Sequence, residues 1–170
     1  MTPKVLIVMG SDSDFAIMKP AFETLKEFDI GFEAHVASAH RTPDRALSLA
    51  KEAHLRGVEV IIAAAGAAAH LPGVLAAATP LPVIGVPIDA TPLNGVDALY
   101  AMVQMPSGVP VAVMAINGAK NAALFAVQLL GAADADLRTR FIEFKERLVD
   151  EVSAKQKNLD KQLKELDKQE

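Results

Sequence analysis

Short apolar runs punctuate the chain as far as Ile116, and between them the apolar residues fall at helical spacing. The first run, Val5-Leu6-Ile7-Val8-Met9, is continuous instead of alternating. That pattern suits a strand covered on both faces, as in parallel sheets. Gly10-Ser11-Asp12-Ser13-Asp14 ends it, and Phe15, Met18, Phe22 and Leu25 then mark one face of a helix that Ser13 or Asp14 can cap. Pro20 sits inside that helix and predicts either a kink or a later start. Phe32 to Ala37 reads as a second strand, closed by Ser38-Ala39-His40-Arg41-Thr42-Pro43. Thr42 before Pro43 is an N-cap with proline at the first helical position, and that helix runs to about Arg56, with Gly57 as its stop. Val58 to Ala64, Val83 to Val86 and Val109 to Ile116 supply three more strands, with helical segments near 70–78, 95–104 and 118–130.

Five strands alternating with helices predict an α/β fold. The expected architecture is a three-layer, open, parallel five-stranded sheet, flavodoxin-like, with right-handed crossovers and an extra long C-terminal helix. That helix is read over Asp134 to Val152, with Leu137, Phe141, Phe144 and Leu148 on one face. Lys155 to Glu170 follows with five Lys and four acidic residues, and with Leu159, Leu163 and Leu166 on one stripe. It reads as a solvated helical extension, or as a helix that packs on a neighbouring subunit. The expected organisation is one α/β domain over 1–154, including the long helix, and a charged helical tail over 155–170. No internal repeat or linker interrupts it.

Composition narrows the function classes. Of 170 residues 51% are hydrophobic but only 5% aromatic, so there are few large rings on which bases or sugars could stack. Val60 to Ile88 carries no charged residue and is long enough to span a bilayer, but Pro72, Pro80, Pro82 and Pro87 break it. It is read as two buried strands around a short helix, and no membrane association is expected. A net charge of -4 leaves no basic footprint for nucleic acid. With no Cys, disulfides, thiolate metal sites and a Cys nucleophile are excluded. Met1-Thr2-Pro3-Lys4 leads into a short apolar stretch without a small-residue cleavage site, so a cytoplasmic protein is expected.

In an open parallel sheet, ligands bind beyond the carboxyl ends of the strands. Three loops leave such ends with unusual content. Gly10-Ser11-Asp12-Ser13-Asp14 combines small residues, two hydroxyls and a following helix N-terminus, which suits an anion, although capping alone also explains it. Ser38-Ala39-His40-Arg41-Thr42-Pro43 sets a proton-trading His beside a phosphate-pairing Arg. A capping turn with incidental charges is the plainer account. Gly66-Ala67-Ala68-Ala69-His70-Leu71-Pro72-Gly73 carries one polar side chain in an apolar segment, either a satisfied core His or a site residue. His35, within a strand, and His54, late in a helix, read as structural. The four histidines lack the spacing of a metal centre, so no metal is expected.

These three loops resemble the signature loops of the N5-carboxyaminoimidazole ribonucleotide mutases, the class I type of phosphoribosylaminoimidazole carboxylase catalytic subunit. Gly95-Val96-Asp97-Ala98-Leu99-Tyr100, Val103-Gln104-Met105-Pro106-Ser107-Gly108-Val109-Pro110 and Asn121-Ala122-Ala123-Leu124 extend the resemblance in order from about residue 4 to 150. It implies an isomerase of de novo purine biosynthesis that needs no ATP, metal or organic cofactor. His40 and His70 would be catalytic, His40 as proton shuttle and His70 lining the base and carboxylate region. Ser11, Ser13, Ser38 and Arg41 would hold the phosphate end, Asp14 would accept from sugar hydroxyls, and Ala39, Gly66, Ala67 and Leu71 would line the substrate. Family members form homo-octamers with the C-terminal helix packed on a neighbour, so a homo-octamer is implied.

Two departures stand out. The family usually has Gly where this chain has Ala64 and Ala67, and Ala would be strained by about 1 kcal/mol or more if either position needs positive φ. Ile116-Asn117-Gly118-Ala119-Lys120-Asn121 is also shorter than the Gly-rich version of some members. Two rivals remain. One is the class II enzyme, which carboxylates aminoimidazole ribonucleotide directly with CO₂; against it stand Arg41-Thr42-Pro43, where class II tends to carry Lys, and the Ala-His-Leu-Pro-Gly loop. The other is a non-catalytic nucleotide-binding module, which has no need of His40 beside Arg41.

Overall fold

The computed structural model describes residues 2–166. Up to Leu130 the chain alternates β1 (Val5–Met9), α1 (Phe15–Glu27), β2 (Phe32–Val36), α2 (Pro43–Ala53), β3 (Val60–Gly66), α3 (Leu71–Ala78), β4 (Val83–Ile88), α4 (Val96–Val103), β5 (Ala112–Val113) and α5 (Ala119–Gly131). All strand pairs are parallel and the order is β2-β1-β3-β4-β5. This is the flavodoxin-like α/β sheet that the alternation predicted. The continuous apolar runs occupy its centre: β1 and β4 are buried along their whole length and β3 up to its last residue. The uncharged stretch over 60–88 is thus β3, α3 and β4, and no helix among the described residues is long and apolar enough to cross a membrane.

One face of the sheet is closed by small residues. Leu6, Val8, Ile61 and Ala63 pack there with Ala46, Ala50 and Ala53 of α2, Leu75 of α3 and Met102 of α4. Alanines at these positions let the helices approach the sheet closely. Side chains alternate along a strand, so Val5, Ile7 and Ile62 point to the other face, which is left to α1 and α5. Because β1 lies between β2 and β3, the connections leaving it and returning to it diverge. The crevice beyond the ends of β1 and β3 is where such sheets take ligands.

The structure corrects several boundaries. β3 and β4 end two residues later than expected, at Gly66 and Ile88. β5 spans two residues, not eight. The carbonyls of Gly85 and Pro87 both face β5, accepting from Met114 (2.9 Å) and Asn117 (2.8 Å). A residue's N–H and C=O point the same way in a strand, so the donor missing at Pro87 is on the β5 side. Val113 pairs with Gly85, so Ile116 should donate to Pro87 in register; Asn117 does so instead, and the ladder has slipped by one residue. In α1, Pro20 neither delays the start nor ends the helix.

From Gly131 the chain forms a second compact unit. Its helix α6 (Ala135–Leu166) continues without a break through the expected end at Val152. Asp134 caps it, its carboxylate accepting from the Leu137 N–H at 3.0 Å. The charged tail is therefore helical as far as Leu166, and its last four positions lie outside the described residues.

Candidate active site

The loop after β1 is a tight hydroxyl-rich turn. Asp14 occupies the N-cap position of α1, one of the two residues expected there, but its side chain makes no cap bond to that helix. Ser11 caps a preceding 3-10 turn over Asp12–Asp14, accepting from the Ser13 N–H at 3.3 Å. In return the Ser11 N–H donates to Asp14 Oδ2 at 3.1 Å, completing a reciprocal capping box. The Ser11 and Ser13 hydroxyls are 2.8 Å apart. Asp14 is buried, and burial raises its carboxyl above the ordinary value of 3.8. The Ser11 N–H counters that shift and the neighbouring Asp12 charge adds to it.

A carboxyl whose value is raised by folding binds its proton more tightly in the folded state. Its contribution to stability is present at low pH and is lost as pH rises through the raised value. Asp14→Asn keeps an acceptor for the Ser11 N–H and removes the buried charge. The ligand-free variant should therefore melt at or above the wild-type Tm at neutral pH, with the gap closing toward pH 3.8. A clearly lower Tm at neutral pH would mean that the hydrogen bonds to the carboxylate outweigh its burial.

The loop after β2 is organised by Ser38. Its Oγ accepts from the backbone N–H of His40 (3.3 Å) and of Arg41 (3.2 Å). Those bonds occupy lone pairs, so the Ser38 hydroxyl hydrogen can donate outward. Thr42 occupies the N-cap position of α2 with Pro43 behind it, as expected, but its hydroxyl does not cap the helix. It turns back to accept from the Ser38 N–H at 2.9 Å and to donate to the Ser38 carbonyl at 3.2 Å. Five residues, Ser38 to Thr42, are thus cinched into a ring that presents His40 and Arg41 outward, both exposed.

The loop after β3 begins where there is no room. An added Cβ on Gly66 would lie 2.6 Å from Ala90 Cβ and 3.1 Å from the Ile88 carbonyl oxygen. Ala67 follows with φ of 54°, in the left-handed region, whereas Ala64 is an ordinary strand residue. The strain anticipated for an Ala in this loop therefore falls on Ala67 alone. Replacing it with Gly should stabilise the protein by about 0.5–1 kcal/mol, since relief of the Cβ clash exceeds the added chain entropy. An unchanged or lower denaturation midpoint would count against strain at this position.

His70 closes the loop at the N-cap position of α3, exposed and so not a core histidine. Its Nδ1 is 2.8 Å from His40 Nε2, with the rings nearly edge-to-face at 79°. One imidazole must donate and the other accept in that bond.

Together the three loops enclose a cavity of about 380 Å³. Ser11, Ser13, Asp14, Ser38, Ala39, His40, Arg41, Gly66, Ala67 and Leu71 all line it, and His70 joins through its bond to His40. His35 and His54 stand apart, the first 3.8 Å from Glu33 and the second in a 3-10 turn after α2. Sequence reasoning missed Ala90, which lines the cavity just past β4, and the ring made by Thr42. A small apolar residue after a strand carries no signal of its own.

The family model described as AIR carboxylase matches residues 4–151. The N5-carboxyaminoimidazole ribonucleotide mutase of Mycobacterium tuberculosis (strain CDC 1551 / Oshkosh) is 57% identical over 157 residues, 92% of this chain and 90% of that protein. The protein of the same name from Thermotoga maritima is 54% identical over 158 residues, 93% and 92% of the two chains. Among solved structures, Treponema denticola PurE superposes with a TM-score of 0.81 at 28% identity, covering 88% of this chain and 94% of that one.

Proposed function

This chain belongs to the AIR carboxylase family, and from that premise we propose that it isomerises N5-carboxyaminoimidazole ribonucleotide to 4-carboxy-5-aminoimidazole ribonucleotide in de novo purine biosynthesis. The observation that carries the reading is the His40–His70 pair beside a cavity that also presents hydroxyls, an arginine and a buried carboxyl. A module that only binds nucleotides has no use for two bonded imidazoles there.

The chemistry moves one carboxylate and one proton. The N5–carboxylate bond breaks to release CO₂, and its electron pair remains on nitrogen. Protonated His40 gives that nitrogen a proton. C4 then attacks CO₂, and neutral His40 takes the C4 proton, returning to its starting state. One imidazole thus serves as acid and then base. His70 holds the His40 ring through Nδ1 and lines the region of the base and carboxylate. Ser11, Ser13 and Ser38 donate to the phosphate and Arg41 pairs with it, while Asp14 accepts from sugar hydroxyls. Ala39, Gly66, Ala67 and Leu71 form the apolar wall that keeps released CO₂ near C4.

The family match over 4–151 supports treating 1–154 as one catalytic domain. A homo-octamer in the cytoplasm completes the reading. Exposed Leu93, Val96, Tyr100 and Val103, on and just before α4, supply apolar surface for contacts between copies.

The test supplies the N5-carboxylated nucleotide without added bicarbonate and follows the C4 isomer. Rapid conversion supports the mutase. Conversion only from aminoimidazole ribonucleotide plus CO₂ would make it a direct carboxylase, and no conversion from either would leave a binding module.

A further inference from the structure

A second cavity of about 410 Å³ opens beside the first. The two share Gly10, Ser11, Ser38 and Arg41, but neither His40 nor any residue of the loop after β3 reaches the outer one. The outer cavity adds Asp12, Thr42 and Arg45, the last in the first turn of α2. Neither Arg41 nor Arg45 forms an ion pair among the described residues, whereas Arg56 pairs with Glu33 and Glu52. Two unpaired guanidiniums on one concave surface leave an anion site that the protein itself does not fill.

Taking the nucleotide reading as its basis, we infer that Arg45 is a further substrate-binding residue and that the cavity it lines receives the 5′-phosphate. A phosphate monoester carries close to two negative charges near neutral pH. Arg41 supplies one positive charge, and Arg45 supplies the second. The inner cavity contains the buried Asp14 carboxyl, which disfavours a dianion there, together with the imidazole needed at the heterocycle. Asp12 also lines the outer cavity, but it is exposed, and its Oδ1 accepts from the Ser11 hydroxyl at 3.2 Å. The substrate then spans both spaces: its base lies against His40 and His70, its ribose lies by Asp14, and its phosphate rests between the two arginines, beside Ser11 and Ser38, which line both cavities, and the Ser13 hydroxyl 2.8 Å from that of Ser11. Planar forked donors suit that last contact.

The test compares wild type with Arg45→Gln and Arg45→Lys in two measurements. In steady-state assays, Arg45→Gln should raise KM for the N5-carboxylated nucleotide about tenfold, with a much smaller change in kcat, and Arg45→Lys should recover part of the loss. In equilibrium titrations, aminoimidazole ribonucleotide should bind Arg45→Gln about tenfold more weakly, while the corresponding nucleoside, lacking phosphate, binds both proteins alike. Nucleotide affinity within about twofold of wild type, or parallel losses for nucleotide and nucleoside, would overturn the assignment. If wild type fails to turn the nucleotide over, the mutase reading falls, and the titrations still decide the role of Arg45.

Discussion

His40→Asn is expected to lower turnover by about 10²–10⁴-fold while the nucleotide still binds. The substitution is local. The bond that shapes this loop uses the backbone N–H of residue 40, donated to Ser38 Oγ, and Asn preserves it. Arg41 likewise keeps its backbone bond to Ser38, so the phosphate end of the site stays in place. An amide side chain can still hydrogen-bond to His70, but it cannot give up a proton and take it back near neutral pH. Loss of that cycle stops both halves of the reaction, protonation of the nitrogen and deprotonation of C4. Measuring kcat beside Kd from titration separates the two effects. If binding disappears together with turnover, His40 is chiefly a ligand contact and the proton transfers belong to another group.

The sequence was most legible where one physical requirement dominates. The uninterrupted apolar run Val5 to Met9 suits a strand covered on both faces, and it forms the buried β1. Gly57 read as a helix stop and has φ of 89°. The three loops were visible because chemistry-bearing residues stood together just past apolar runs, and parallel strands carry all such ends to one edge of the sheet. Legibility failed where a long-range partner decides the outcome. β5 stops at Val113 because Pro87, a residue on the neighbouring strand, has no N–H to offer it, and no local pattern in Val109 to Ile116 reveals that. Thr42 was read as a cap from its place before Pro43, yet its hydroxyl is engaged with Ser38. The bond between His40 and His70 joins residues thirty positions apart, and only the order β2-β1-β3 brings their loops together.

The abundance of alanine has a specific consequence at the end of β3, where Gly66→Ala should cost about 1–3 kcal/mol and lower activity about 100-fold. Gly66 pairs with Ile88 across the β3–β4 ladder, and the new methyl would lie 2.6 Å from Ala90 Cβ. A methyl on Ala90 cannot rotate aside, because it is fixed to the backbone, and the Ile88 carbonyl at 3.1 Å is backbone as well. The ends of β3 and β4 must therefore separate. That movement is carried directly into Ala67, already at positive φ, and through the loop to His70, whose Nδ1 is held at 2.8 Å from His40. Displacing the imidazole pair by a fraction of an ångström removes the alignment on which the proton transfers depend. Gly10→Ala is the matching control. Its added methyl meets nothing closer than the Ala64 carbonyl at 3.7 Å, an ordinary contact, so its Tm should stay near wild type. Thermal melts and turnover for both variants decide the matter: a Gly66→Ala protein as stable and as active as wild type would mean that the strand ends yield freely and do not hold the histidines in place.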